Sequence, residues 1–294
     1  MIKENEEVVF ITKEEIYASI FSYDTIYIPP HEEQSAPLEV ALGCSWHRCR
    51  FCDFAKDEFR IHPMEKIEQN LWILSQFHPE TKRLFLLGEN AFVMSFQQLS
   101  RIFDLRDTYM PWAKEVAMYS RVDDILRKTE DELRILHERG LQALHIGMES
   151  GSDSILEQMN KGVTTFDMLE AFRKLERAGI DYYLTIIMGL GGRTFSRLHA
   201  VETARLLNQT HPKNIWCLKL KLWEDTPLYK EYKKGLFDMM TPEEILAEER
   251  ILLENLTVTD CLFEDTTVLD KYTLVGMLPE KKKDLLEAMK ILLG

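Results

Sequence analysis

Six short apolar runs, at 38–42, 83–87, 115–118, 143–147, 182–188 and 215–222, punctuate the first three quarters of the chain. Each is too short for a helix and too poor in polar residues for a strand with one wet face, so each reads as a strand buried on both sides. The stretches between them carry legible helix ends. Thr129-x-x-Glu132 is a capping box ahead of Leu133 and Leu136, and Gly140 follows as a stop. Thr164-x-x-Asp167 repeats the device ahead of Met168, Leu169, Phe172 and Leu175, with Gly179 closing that helix. Strand and helix alternating about six times predict an α/β fold built on one parallel sheet. Right-handed crossovers place the helices outside and curl the strands into a partial (β/α)6 TIM-like barrel; a doubly wound open sheet has the same periodicity.

Beyond residue 222 the pattern changes. Thr241-Pro242-Glu243-Glu244 starts a helix with Pro at its first position, and helical periodicity runs over 243–255 and 280–293. Only 261–263 reads as strand between them. No linker rich in Pro, Gly or Ser intervenes, so this part is expected to be a helical cap on the sheet. The organisation predicted is an N-terminal extension at 1–37, a core at 38–229 and the cap at 230–294, without internal repeats.

Charge and cysteine usage narrow the function. Lys and Arg number 36 against 49 Asp and Glu, a formal charge of −13. Such a surface repels a phosphate backbone, and the lysines at 281–283 suit a solvated helix start, so nucleic acid is not an expected partner. No run reaches the roughly 18 apolar residues of a membrane span, and the acidic N-terminus lacks a signal-peptide pattern. A cytoplasmic location is expected. Of the five cysteines, three fall within nine positions, which favours metal or redox chemistry over a disulfide scaffold.

Those three, Cys44, Cys49 and Cys52, follow directly on the first candidate strand, and in parallel α/β folds chemistry gathers beyond the carboxyl ends of strands. Thiolates so close in sequence can wrap one soft metal centre. A structural zinc site would need a fourth ligand, from His47, Cys217 or Cys261. A four-iron cluster on three thiolates instead leaves one iron open to a further molecule.

Cys44-x4-Cys49-x2-Cys52, with Phe51 before the last cysteine, resembles the signature of the radical S-adenosylmethionine (SAM) superfamily, whose commonest spacing has three residues in the first gap. The resemblance implies a 4Fe–4S cluster on these cysteines and SAM bound at the open iron. Later segments extend it. Gly88-Glu89-Asn90 is similar to the turn that holds the amino group of SAM in that superfamily. Ser120-Arg121 ends the third strand, where a fork-shaped donor suits the carboxylate of SAM. The runs from His145 to Ser152 and from Met159 to Gly162 resemble the branch that includes oxygen-independent coproporphyrinogen oxidase and the methylthiotransferases. That resemblance puts Glu149 and Ser150 at the ribose or amino-acid part of SAM and Lys161 near its carboxylate. Ile187, in the run that ends Gly191-Gly192, is similar to the residue that packs on adenine, with the Phe51 backbone at the adenine edge. The run from Trp223 to Tyr229 resembles the loop after the sixth strand of the same branch.

The chemistry implied is reductive cleavage of SAM to a 5′-deoxyadenosyl radical, which takes hydrogen from a substrate over the barrel mouth. An electron donor such as flavodoxin or ferredoxin is required. The acidic surface favours a small-molecule substrate, with Tyr183, Lys219, Trp223 and residues 264–272 as candidate contacts. A peptide- or protein-modifying maturase and a non-catalytic relative that binds haem or SAM are the alternatives. With only Cys217 and Cys261 left over, a second cluster is not expected, and neither is a cobalamin-type domain.

Overall fold

The computed structural model describes residues 12–23, 26–53, 58–266 and 272–294. After helix α1 (Lys13–Ala18) and a 3-10 turn at Pro30–Glu32, the chain enters β1 (Ala36–Glu39), then a small antiparallel pair, β2 (Ala41–Leu42) with β3 (Arg60–Ile61). Strands and helices then alternate: α2 (Met64–Phe77), β4 (Arg83–Leu87), α3 (Phe96–Tyr109), β5 (Glu115–Ser120), α4 (Val122–Arg127), α5 (Glu130–Glu138), β6 (Leu141–Glu149), α6 (Asp153–Gln158), α7 (Thr165–Ala178), β7 (Asp181–Met188), α8 (Gly192–Leu207) and β8 (Asn214–Lys219). The remainder is α9 (Pro227–Lys233), α10 (Pro242–Asn255), β9 (Cys261–Asp265), β10 (Leu274–Leu278) and α11 (Lys282–Leu293).

The main sheet has eight strands in the order β1-β4-β5-β6-β7-β8-β9-β10. Every neighbouring pair is parallel except β9 with β10. Order follows sequence throughout, as right-handed crossovers of one sense produce, and the terminal strands β1 and β10 do not pair with each other. The predicted α/β fold with a partial barrel of parallel strands is the fold found.

Alternate strand residues face the two sides. Leu84, Leu86, Val116, Met118, Leu144, Ile146, Leu184, Ile186 and Ile215 belong to the large core shared with the helices. Phe85, Leu87, Ala117 and Ala143 form a second cluster on the other side, against Tyr119, Tyr183 and the incoming Ile26 and Ile28. Both capping boxes form: Thr129 accepts from the Glu132 amide and Thr164 from the Asp167 amide. A cap contributes about 1 kcal/mol. Each large side chain in the buried stripe Met168, Phe172 and Leu175 contributes about 1.5–3 kcal/mol. Packing therefore holds α7, and the cap decides where it starts.

Three boundaries differ from expectation. The first predicted strand splits, because Glu39 turns inward to His62 (2.7 Å) and Ser22 while Val40 bonds sideways to Leu87, so β2 leaves the sheet to pair with β3. The region before residue 38 is not outside the sheet: it supplies the start of β1 and a buried wedge. In that wedge Glu32 accepts from Arg83 (3.0 Å) and pairs with His145 (2.9 Å), and His31 reaches Glu264 of β9 (2.6 Å). Finally, the cap is not helical alone, since β9 and β10 prolong the sheet beyond the six predicted strands.

Candidate active site

The cysteine loop leaves β2 and is tied at both ends to what lies opposite. Trp46 donates from its indole to the Asn160 carbonyl (2.7 Å), and Asn160 returns a bond to the Arg48 carbonyl (3.0 Å). The Arg50 amide donates to Met159 O (3.0 Å), its guanidinium donates to Gln158 O and pairs with Glu231, and its carbonyl accepts from Leu228 at the start of α9. Cys44, Cys49 and Cys52 are all partly exposed on this loop. His47, inside the longer first gap, has φ 49°. Next to that left-handed turn Trp46 reaches across to the 160–162 segment, and the guanidiniums of Arg48 and Arg121 each lie 5.2 Å from its ring centroid.

Lys161 points inward from that segment and donates to Glu149 (2.8 Å) in a largely buried pair. Burial opposes the charge on Lys161, but Glu149 and then Cys49 outweigh it and hold the ammonium above its ordinary value. Glu149 ends β6 at a register shift with φ 64°. Its carboxylate folds back over Gly147, where a Cβ would overlap Glu149 Oε1 and lie 3.2 Å from Lys161 Nζ. A side chain at position 147 would require the Glu149 carboxylate to move away from its present place beside Lys161. Burial pushes the Cys49 thiol up, while Lys161 and Arg121 pull the other way.

The other predicted residues surround this pair. Gly88 packs on Ala41, and Glu89 is exposed beyond β4. Asn90 is fully buried and links three elements: it donates to Ser45 (2.9 Å) and Asp124 (2.6 Å) and accepts from the Arg121 amide (3.1 Å). Arg121 donates to Asp123 (2.9 Å) and to Lys161 O (3.1 Å). Ser120 donates to Arg121 O and Ser150 accepts from the Ser152 amide, both within their own turns. Phe51 and Ile187 meet in one apolar cluster with Ile155, Met159, Leu190, Leu220 and Leu228. Of the candidate substrate contacts, Tyr183 stacks on His145 (4.7 Å between centroids) and Trp223 lies under Lys221 (3.7 Å). Lys219 is buried between Glu249 (2.5 Å) and Asp265 (2.7 Å). Of the candidate range 264–272, positions 267–271 lie outside the described residues.

Residues 38–205 match the sequence profile of the Radical SAM superfamily, over more than half of the chain. The chain belongs to the radical SAM superfamily. Its cofactors are therefore a 4Fe–4S cluster and SAM, and it is an iron–sulfur enzyme. It is 26% identical to the heme chaperone HemW of Bacillus subtilis over 176 residues, 56% of this chain and 46% of the chaperone, and so spans about half the length of that relative. It is 24% identical to an uncharacterized protein of Methanocaldococcus jannaschii over 264 residues, 83% of this chain and 80% of that one. Among solved structures, coproporphyrinogen III oxidase (HemN) from Escherichia coli superposes with a TM-score of 0.59 at 14% identity, covering 83% of this chain and 56% of that one. A likeness at that identity shows the fold alone.

The donor set fits the radical SAM cofactors. Cys44, Cys49 and Cys52 are three partly exposed thiols on one short loop, and a four-iron cluster takes each thiolate on a separate iron. The cations nearest Cys49 suit a centre that carries negative charge. Sequence reasoning missed Trp46, Asn160 and Asp124, which tie the cysteine loop to the segments carrying Lys161 and Asn90. A tryptophan lodged between two closely spaced cysteines was the available signal for the first. Among the described residues, no helix is long and apolar enough to cross a membrane.

Proposed function

We propose that Cys44, Cys49 and Cys52 hold the 4Fe–4S cluster, and that Glu149, Lys161, Gly88, Glu89, Phe51 and Ile187 line the SAM pocket beside it. The observation that carries this reading is the bonded path from the cysteine loop through Trp46 and Asn160 to the Lys161–Glu149 pair. When bound, the two cofactors supply reductive cleavage of SAM and abstraction of hydrogen from an organic substrate. The chain's own residues bind, orient and exclude water. Glu149 and Lys161 present a carboxylate and an ammonium to the hydroxyls and carboxylate of SAM, while Phe51 and Ile187 offer an apolar wall to adenine. Asn90, Ser120, Ser150 and Arg121, engaged within the protein, act by fixing the strand ends. The substrate is a small molecule at the strand ends near Tyr183 and Trp223, the electron comes from a flavodoxin or ferredoxin, and the enzyme works in the cytoplasm.

The test is anaerobic reconstitution with iron and sulfide, reduction in the presence of SAM, and chromatographic assay for 5′-deoxyadenosine. Production above a Cys44→Ala control is expected; its absence, with the cluster loaded, refutes the reading. The similarity to a heme chaperone favours haem binding as a second reading, which a spectral titration with hemin tests.

A further inference from the structure

Two side chains outside the cysteine loop and the pair meet at the ends of the strands that form the pocket. Glu248 lies on α10 and His199 on α8, and both are fully buried. The Gly189 amide, just beyond β7, donates to Glu248 Oε1 (2.7 Å). His199 faces the same oxygen with Nδ1 (3.0 Å) and the Glu149 carbonyl, at the end of β6, with Nε2 (3.3 Å). Both ring nitrogens thus point at oxygen acceptors, and both contacts are attractive when both nitrogens carry protons. The two backbone sites held are special ones. Glu149 has a φ of 64°, which a residue other than glycine keeps only where the surroundings fix it, and Gly189 turns the chain at φ 82°, which glycine adopts freely. Ile245 of α10 closes the other side of Gly189, where a Cβ would lie 3.2 Å from its Cγ1.

We propose that His199 and Glu248 are a positioning pair for SAM, through which α10 and α8 set the ends of β6 and β7. The inference rests on the reading of this site as the SAM pocket. The pair touches no cofactor itself. It fixes the backbone that aims the Glu149 carboxylate at Lys161, and it fixes the turn that follows Ile187. One buried hydrogen-bonded pair therefore couples the polar and apolar walls of the pocket to α8 and α10.

The test uses the full chain with its cluster reconstituted, comparing wild type with His199→Phe, Glu248→Gln and Leu252→Ala. Leu252 is fully buried on α10 and contacts neither strand end through a hydrogen bond, so its truncation is a control for general destabilisation. Three readouts are taken: iron content, SAM dissociation constant by equilibrium dialysis, and amide exchange without SAM at 149–151 and 189–191. Iron content is expected to be unchanged throughout. SAM should bind about tenfold more weakly to His199→Phe and Glu248→Gln, the scale of one hydrogen bond to a charged group, and within about twofold of wild type to Leu252→Ala. Exchange should quicken at both segments in His199→Phe and chiefly at 149–151 in Glu248→Gln, which keeps an acceptor for Gly189, and at neither in Leu252→Ala. Glu248→Gln is nearly isosteric and keeps an acceptor for Gly189, so it carries the test if His199→Phe does not fold. Unchanged SAM affinity in both variants overturns the proposal, as does an equal loss in Leu252→Ala. A wild type that loads its cluster and binds no SAM overturns the pocket reading itself, and is recognised before any variant is compared.

Discussion

Replacing Gly162 with alanine tests the link between the cysteine loop and the Lys161–Glu149 pair. Gly162 has φ 80°, which costs an alanine about 1–2 kcal/mol. The new Cβ would also sit 2.6 Å from Trp46 Cε2 and 2.7 Å from Trp46 Cη2, inside contact distance of a rigid ring. Trp46 yields by lengthening its bond to Asn160 O, worth about 1 kcal/mol, and by moving away from the guanidiniums of Arg48 and Arg121. The two terms together predict a loss of about 3 kcal/mol for Gly162→Ala, read from urea denaturation of the cluster-free protein. Placing the same substitution in a Trp46→Ala background separates them. There only the backbone cost of about 1–2 kcal/mol should remain, so the cycle should show a coupling of more than about 1 kcal/mol. An equal loss in both backgrounds would mean that Trp46 does not rest on Gly162, and the proposed path from loop to pair would fail.

Other consequences are open to equally direct tests. Lys161→Met strands the Glu149 carboxylate in a nearly dry site and should cost about 3 kcal/mol or more in the same denaturation assay, most of it recovered in the double variant with Glu149→Gln. Burial pushes Glu39 up, but its bonds to His62 and Ser22 outweigh this and hold its carboxyl below the ordinary 4.5. Its stabilisation is therefore complete above pH 4.5 and is lost as pH falls through the lower folded value, so Glu39→Gln should flatten the acid limb of a stability–pH curve. His31 gives the opposite limb: its bond to Glu264 raises it against burial, so its contribution is complete below 6.5 and is lost as pH climbs past the folded value, a slope His31→Gln should remove.

The order of strands was legible in the sequence because parallel strands buried on both faces are continuous apolar runs, and because threonine and glycine mark the helix ends between them. The cysteine loop was legible for a similar reason, since three thiols so close together have few structural uses. What escaped was polar and long-range. Glu32, His31 and Glu264 lie in segments with no local sign of burial, and only the curl of the sheet brings them together. The strand β10 alternates buried Leu274, Gly276 and Leu278 with exposed Val275 and Met277, too short a pattern to separate from a loop. Glu248 and Glu249 could have been found: they occupy the apolar stripe of α10 between Ile245 and Leu252, where helical periodicity calls for hydrophobic residues. Asn90 illustrates the remaining limit. Its residue type suits a ligand contact, and only coordinates reveal that three protein partners take up its amide.

The wedge ahead of β1 has a bearing on how the chain assembles. His31 meets Glu264 and Glu32 meets His145, contacts spanning more than two hundred and more than one hundred residues respectively. Loops of that length close late and at an entropic cost that grows with their span, so ln kf should be low for a chain dominated by such contacts. During synthesis the first strands can pair in order as they emerge, but His31 has no partner in β9 until more than two hundred further residues have been made. The His31 end of the wedge is therefore a late latch, closed only when β9 joins the sheet, while Glu32 can engage β4 and β6 before it.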